Sequence, residues 1–158
     1  MFRPIRKKSN EISLDEVNKL LINARRGVLA VNGDDNYPYA IPINYYYDID
    51  KQKIFFHSSS IGHKVDALNK SSKVCFTVTG NEEIKDEQWA PYVKSVVVFG
   101  CCKKIEDEKQ KQTRLKQFAT KYYPNENMVD EEMLRSSKAA SMYEISIEHI
   151  SGKQVQER

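Results

Sequence analysis

The chain has 158 residues, 40% apolar and 30% charged, the balance of an ordinary globular protein with room for one core. Its 25 basic and 22 acidic residues leave a formal charge of +3, mixed along the chain, which is too little for a nucleic-acid footprint. No apolar run approaches membrane-spanning length, and the basic start Arg3, Arg6, Lys7, Lys8 has no apolar stretch behind it to form a secretory signal, so the expected setting is the cytoplasm.

Ser13-Leu14-Asp15-Glu16 is a capping-box start, and Leu14, Val17, Leu20, Leu21 and Ala24 follow at helical spacing, with Gly27 expected to stop the helix. Val28 to Val31 reads as a short strand, Asn32 to Asn36 as a hairpin loop, and Tyr39 to Tyr47 as a longer strand in which Tyr45 and Tyr47 point one way and Tyr46 the other. After a turn at Asp48-Ile49-Asp50, Lys53 to His57 returns as a strand, and Lys64, Val65, Leu68 and Asn69 suggest a two-turn helix. Val74 to Val78 is the next strand. A polar loop over 81–88 leads to the longest β segment, Tyr92 to Ile105, with Gly100 marking a bend or bulge. Helices are expected over 107–122 and, briefly, 131–136, before a closing strand from Ser141 to Ile147. About six short, mostly antiparallel strands joined by hairpins, with one long bent strand, favour a small closed β-barrel with peripheral helices. No repeat or linker divides it, so residues 1–158 are read as a single domain.

The most informative stretch is Ile54-Phe55-Phe56-His57-Ser58-Ser59-Ser60-Ile61-Gly62-His63-Lys64. A buried strand gives way to a hydroxyl-rich turn and then to a helix opening on a basic pair. Helix N-termini favour anions, because their first N–H groups lack partners and the peptide dipoles aim their positive end there. The arrangement suits the phosphate of a mononucleotide cofactor. It equally suits a capped helix with a solvated lysine, and spacing alone leaves both readings open. Pro42 inside a strand pattern argues for an edge or a break, which frees main-chain groups for a flat heteroaromatic ring. The alternative is that Tyr45, Tyr46 and Tyr47 simply pack. Trp89 and Tyr92 could cover a ring or fill a subunit contact. Cys75, Cys101 and Cys102 show no zinc-type spacing and read as reduced thiols, and no metal site is expected.

Taken together in order, Gly27 to Val31, Tyr37-Pro38-Tyr39, Pro42-Ile43-Asn44-Tyr45, Phe56-His57-Ser58, Gly62-His63-Lys64, Trp89 to Gly100 and Ile150 to Lys153 resemble the pyridoxamine 5′-phosphate oxidase-like FMN-binding split barrels, and within them the nitroimidazole-resistance branch. The resemblance runs over nearly the whole chain. It implies FMN as cofactor, with Pro42, Ile43, Asn44 and Tyr45 lining the flavin ring, the last three through main-chain groups. It places His57 and Ser58 on the ribityl chain and phosphate, His63 and Lys64 on the phosphate, and Ser95 against the flavin from the facing side. It also implies a homodimer with FMN at the subunit interface, where Trp89 or Tyr92 reaches the partner's flavin.

Two departures narrow this. The arginine and lysine that flank the ring-binding strand in true pyridoxamine-phosphate oxidases fall here on Ala40 and Tyr45, and the tail from Ile150 to Arg158 lacks their basic substrate-binding segment. Vitamin B6 oxidation is therefore not expected. The expected function is an FMN-dependent oxidoreductase passing electrons to a nitroaromatic or other small acceptor, with His57 as a candidate substrate contact. A non-catalytic flavin carrier or sensor, and a split barrel holding haem or a deazaflavin, are the alternatives.

Overall fold

The computed structural model describes residues 1–158. The elements run α1 (Leu14–Asn23), β1 (Arg26–Asn32), β2 (Pro38–Asn44), β3 (Tyr46–Asp48), β4 (Lys53–Ser58), α2 (His63–Lys70), β5 (Lys73–Thr79), β6 (Tyr92–Lys104), α3 (Glu108–Tyr122), α4 (Glu126–Ser136) and β7 (Ser141–Gln156). All strand pairs are antiparallel, in the order β2-β1-β5-β6-β7-β4-β3. The two outermost strands of that order, β2 and β3, are consecutive in the chain and separated only by Tyr45. The sheet therefore curls until its edges meet at one residue. That is a β-barrel with peripheral helices, as the strand pattern led us to expect, but of seven strands rather than about six and split, as the family resemblance implies, rather than closed.

Local chemistry explains most of the elements. Ser13 Oγ accepts from the Glu16 N–H while the Glu16 carboxylate accepts from the Ser13 N–H at 3.0 Å, completing the capping box of α1. Asp107 and Asn125 cap α3 and α4 in the simpler way. Alternation along β1, β5 and β6 turns Leu29, Val31, Phe76, Val78, Val96 and Val98 inward, where they join Leu21, Ile54, Phe56 and Ile145 in the barrel core. A second cluster, Phe55, Ile105, Leu115, Phe118 and Met142, seats α3 on the outer face of β4 and β7. Outward Phe55 and inward Phe56 thus serve different cores, a direct use of the two-residue period of a strand.

Four expectations are corrected. The strand expected over 39–47 is two strands, because Tyr45 leaves the ladder. Gly27 does not stop α1, which ends at Asn23; it lies within β1, where a Cβ would sit 2.2 Å from the Phe76 ring. The last strand continues from Ile147 to Gln156 along the first half of β6, with the register shifting between Phe99 and Gly100 where a bend was expected. The helix expected over 131–136 begins a turn and a half earlier, at Glu126, under the Asn125 cap.

Candidate cofactor site

At the end of β4, Phe56 points into the barrel, His57 outward and Ser58 inward again. Ser59 folds the turn by donating its hydroxyl to the Ile61 carbonyl at 2.7 Å. Gly62 then adopts φ +125° and ψ 168°, a conformation open essentially to glycine alone, and a Cβ there would have nothing within 4 Å. No side chain caps α2, so its first N–H groups have no side-chain partner at the N-cap.

Lys64 lies on that first turn. It is half-buried, its ammonium 5.5 Å from the centroid of the Phe56 ring, and it makes no ion pair. Burial pushes its pKa below the usual lysine value. An unpaired, partly dehydrated cation at an uncapped helix start has strong capacity left for an anion. His57 packs edge-on against Phe118 of α3 with ring centroids 4.8 Å apart. Lost hydration, and then the charge of Lys64, lower its pKa, so the imidazole is neutral at neutral pH. The Ser58 side chain is buried beside it, at 7% exposure.

The structure brings His57, Ser58 and Lys64 together at this junction but turns His63 elsewhere. The His63 ring stacks on Tyr39 at 4.1 Å, and its Nε2 stands 3.6 Å from Asp34 in the β1–β2 loop. Asp34 is also paired with Lys70 at 2.9 Å, which holds its carboxyl below the usual range.

The expected ring-binding strand is an edge strand, which accommodates Pro42 and leaves one side of β2 unpaired. Pro42 faces outward and Ile43 inward. The Asn44 side chain is committed to the Arg25 carbonyl at 2.9 Å. Tyr45 is committed throughout. Its N–H donates to the Tyr122 hydroxyl at 2.9 Å, that hydroxyl lies 2.6 Å from the Tyr45 carbonyl, and Lys121 Nζ approaches the same carbonyl at 3.2 Å. Its own hydroxyl donates to the Leu21 carbonyl at 2.6 Å. Lys121 also donates to the Ala24 carbonyl at 2.6 Å, and burial, then Arg25, depress its pKa to about 8. The main-chain groups expected from Tyr45 are thus taken within the chain, and those along the open side of β2 remain.

Ser95 is half-buried on β6, opposite Thr79 and Lys153. Three strand spacings, about 14 Å along the sheet, separate it from β2. Trp89 is 79% exposed in the β5–β6 loop. Tyr92 is half-buried beneath the Lys85 ammonium, 4.2 Å from its ring.

Sequence reasoning missed the contribution of α3 and α4. Leu115, Phe118, Ala119 and Tyr122 repeat at helical spacing and face β4, a stripe that was legible although its partner strand was not.

Comparison with known proteins agrees with this architecture. The pyridoxamine 5′-phosphate oxidase family matches residues 13–154. The chain belongs to that family. No curated protein matches it. Among solved structures, a Bacteroides thetaiotaomicron protein named for 5-nitroimidazole antibiotic resistance superposes with a TM-score of 0.78 at 17% identity, covering 91% of this chain and 85% of that one. A FAD-binding protein of Mesorhizobium loti gives 0.64 at 24% identity over 91% and 96% of the two chains. An FAD- and heme-binding protein of Mycobacterium smegmatis gives 0.73 at 19% identity over 92% and 72%. At such identities the likeness is one of fold. In this member of the pyridoxamine 5′-phosphate oxidase family Ala40 lies on the edge strand β2, and the internally bonded Tyr45 lies just past its end.

Proposed function

We propose that the chain is a flavin-dependent oxidoreductase that binds the riboflavin 5′-phosphate (FMN) portion of its cofactor with the phosphate at the β4–α2 junction. The observation that carries this is Lys64: a half-buried ammonium without an acidic partner, on the first turn of the uncapped helix that follows Gly62. Ser58 offers a hydroxyl and His57 a neutral imidazole to the phosphate and ribityl chain, while the open side of β2 at Pro42 and Ile43 presents main-chain groups to the ring. His63, held by Tyr39 and Asp34, serves the β1–β2 loop. The structural neighbours named for FAD support a flavin without choosing between its mononucleotide and dinucleotide forms.

The flavin, when bound, supplies the electron-transfer chemistry, and the protein supplies position, hydrogen bonds and exclusion of water. Ala40 and Tyr45 supply no basic grip for a B6 phosphate, the electron donor of such an oxidase; as acceptor, the neighbour named for nitroimidazole resistance makes a nitroaromatic the first to try. We take the protein to act as a homodimer in the cytoplasm. Outward-facing Val28 and Phe99, 38% and 39% exposed, with Phe2 stacked on Phe99, give a second copy an apolar sheet face to cover, and exposed Trp89 is free to reach across. No helix is long and apolar enough to cross a membrane.

Purified protein should be yellow or become so with FMN, and should oxidise a reduced nicotinamide when a nitroaromatic is present. Material that stays colourless when supplied with flavin overturns the proposal. Coloured material that turns over no acceptor leaves a carrier.

A further inference from the structure

At the end of β4 remote from the β4–α2 junction, the β3–β4 turn and the first turns of α3 border a cleft of about 360 Å³. Asp48 and Lys51 line it from one side and Lys109, Thr113, Arg114 and Gln117 from α3, and no apolar side chain takes part. A volume of this size falls within the range of small-molecule sites, about 300–1,000 Å³. We infer that this cleft is an oxyanion site that takes a phosphoryl group, either free phosphate or the phosphate of a small hydrophilic ester, independently of the flavin.

Arg114 is only 8% exposed, with its guanidinium against the Phe55 ring, 4.3 Å from the centroid. Its Nη1 uses both N–H groups, donating to Asp48 Oδ2 at 2.7 Å and to Gln117 Oε1 at 2.8 Å. The Nε–Nη2 edge donates to nothing in the chain. No buried side-chain nitrogen lacks a partner, so solvent reaches that edge, and the cleft is the space that Arg114 lines. Such an edge presents two parallel N–H groups, the match for two oxygens of a carboxylate or phosphate, and it is held in place by the packing and by the Asp48 pair. The charges favour phosphate. Both acids in the lining are committed: Asp48 accepts from the Lys51 N–H at 3.0 Å as well as from Arg114, and Asp107 caps α3 by accepting from the Gln110 N–H at 2.7 Å. Lys51 and Lys109, exposed at the rim, make no ion pair. Two ammonium groups are therefore left for the second charge of a phosphate, which a carboxylate does not carry. The wholly polar lining gives an aromatic or aliphatic body nothing to pack against, which confines the ligand to phosphate itself or a polyol ester.

Calorimetric titration with inorganic phosphate at constant ionic strength, with chloride as the control, tests the site. The wild type should bind phosphate and not chloride. Lys51→Gln and Lys109→Gln together, at exposed positions that leave the Arg114–Asp48 pair alone, should weaken phosphate binding at least about tenfold. Thr113→Glu, also exposed, offers the Arg114 edge a carboxylate of the chain's own and should abolish binding in the cleft. Lys64→Met, at the other end of β4, should leave it unchanged. A wild type that takes up phosphate no better than chloride overturns the inference, as does either cleft variant that binds like the wild type. Loss of all phosphate binding in the Lys64→Met protein places the anion at the β4–α2 junction, overturning the cleft site while the flavin reading stands. Ribose 5-phosphate separates the two sources: tighter binding than inorganic phosphate identifies an ester, and equal or weaker binding the free anion, each a ligand of the same site.

Discussion

The β2–β3 break and the β4–α2 junction are both places where a strand stops abruptly, and the chain finishes them in opposite ways. At the break, each main-chain group that Tyr45 withdraws from the ladder finds a partner on α3, and the Tyr45 hydroxyl finds one on α1. At the junction, the helix start is uncapped, the glycine has empty space above it and the lysine has no counter-ion. Buried polar groups left unpaired are costly, so an interior that must hold the barrel shut is saturated. A surface that must take up a ligand keeps its hydrogen-bonding capacity in reserve. On this view the break is architecture and the junction is function, and substitutions at the two should separate binding from stability.

The largest separation is expected at Lys64. Lys64→Met keeps the stem and removes the charge; a charge-assisted hydrogen bond is worth about 1.5–3 kcal/mol, or roughly ten- to a hundred-fold in flavin affinity. The urea midpoint should hold or rise, because a partly buried, unpaired cation is lost. A fall in stability with unchanged flavin affinity would reverse the assignment of the two regions. Tyr122→Phe is the opposite case. It strips the hydroxyl that the Tyr45 N–H relies on, and should cost about 1–3 kcal/mol in denaturant unfolding while the β4–α2 phosphate contacts remain. Gly62→Ala comes next: nothing crowds the new methyl, so only backbone strain is felt, about 1 kcal/mol, and flavin affinity should weaken as the turn relaxes.

These regions were not equally legible in the sequence. Local rules reached the capping box at Ser13, the bend at Gly100 and the helix after Gly62, because each is decided by residues adjacent in the chain. The break was half legible: Pro42 announced an irregular strand, but the irregularity falls at Tyr45, chosen by a hydroxyl 77 residues away. His63 looked like half of a basic pair with Lys64, yet neighbours on a helix point about 100° apart. Tyr39 and Asp34, reached through the β1–β2 hairpin, take one of the two. The second half of β7 was hidden for a similar reason. Glu148, His149, Lys153 and Gln154 look like a solvated tail, and only their pairing with the first half of β6 makes them a strand. Gly152 is confined by packing rather than by a turn, since a Cβ there would stand 2.5 Å from Val17 of α1.

The smallest expected effect probes how the break is held. Lys121 is a partly dehydrated cation whose folded pKa, about 8, lies below the usual lysine value of 10.5. Between those values the unfolded chain binds more protons than the folded one, so this group's contribution to stability rises with pH from about 8 towards 10.5. Below about pH 8 the cost of keeping the charge inside is constant, offset by its bonds to the carbonyls of Ala24 and Tyr45. Lys121→Met removes the titration. Urea midpoints measured at pH 7.5 and 9.5 should therefore show the wild type gaining on the variant as pH rises. A difference that stays constant between the two pH values would mean that the Lys121 ammonium titrates as it does in the unfolded chain, and that Tyr122 alone closes the barrel at Tyr45.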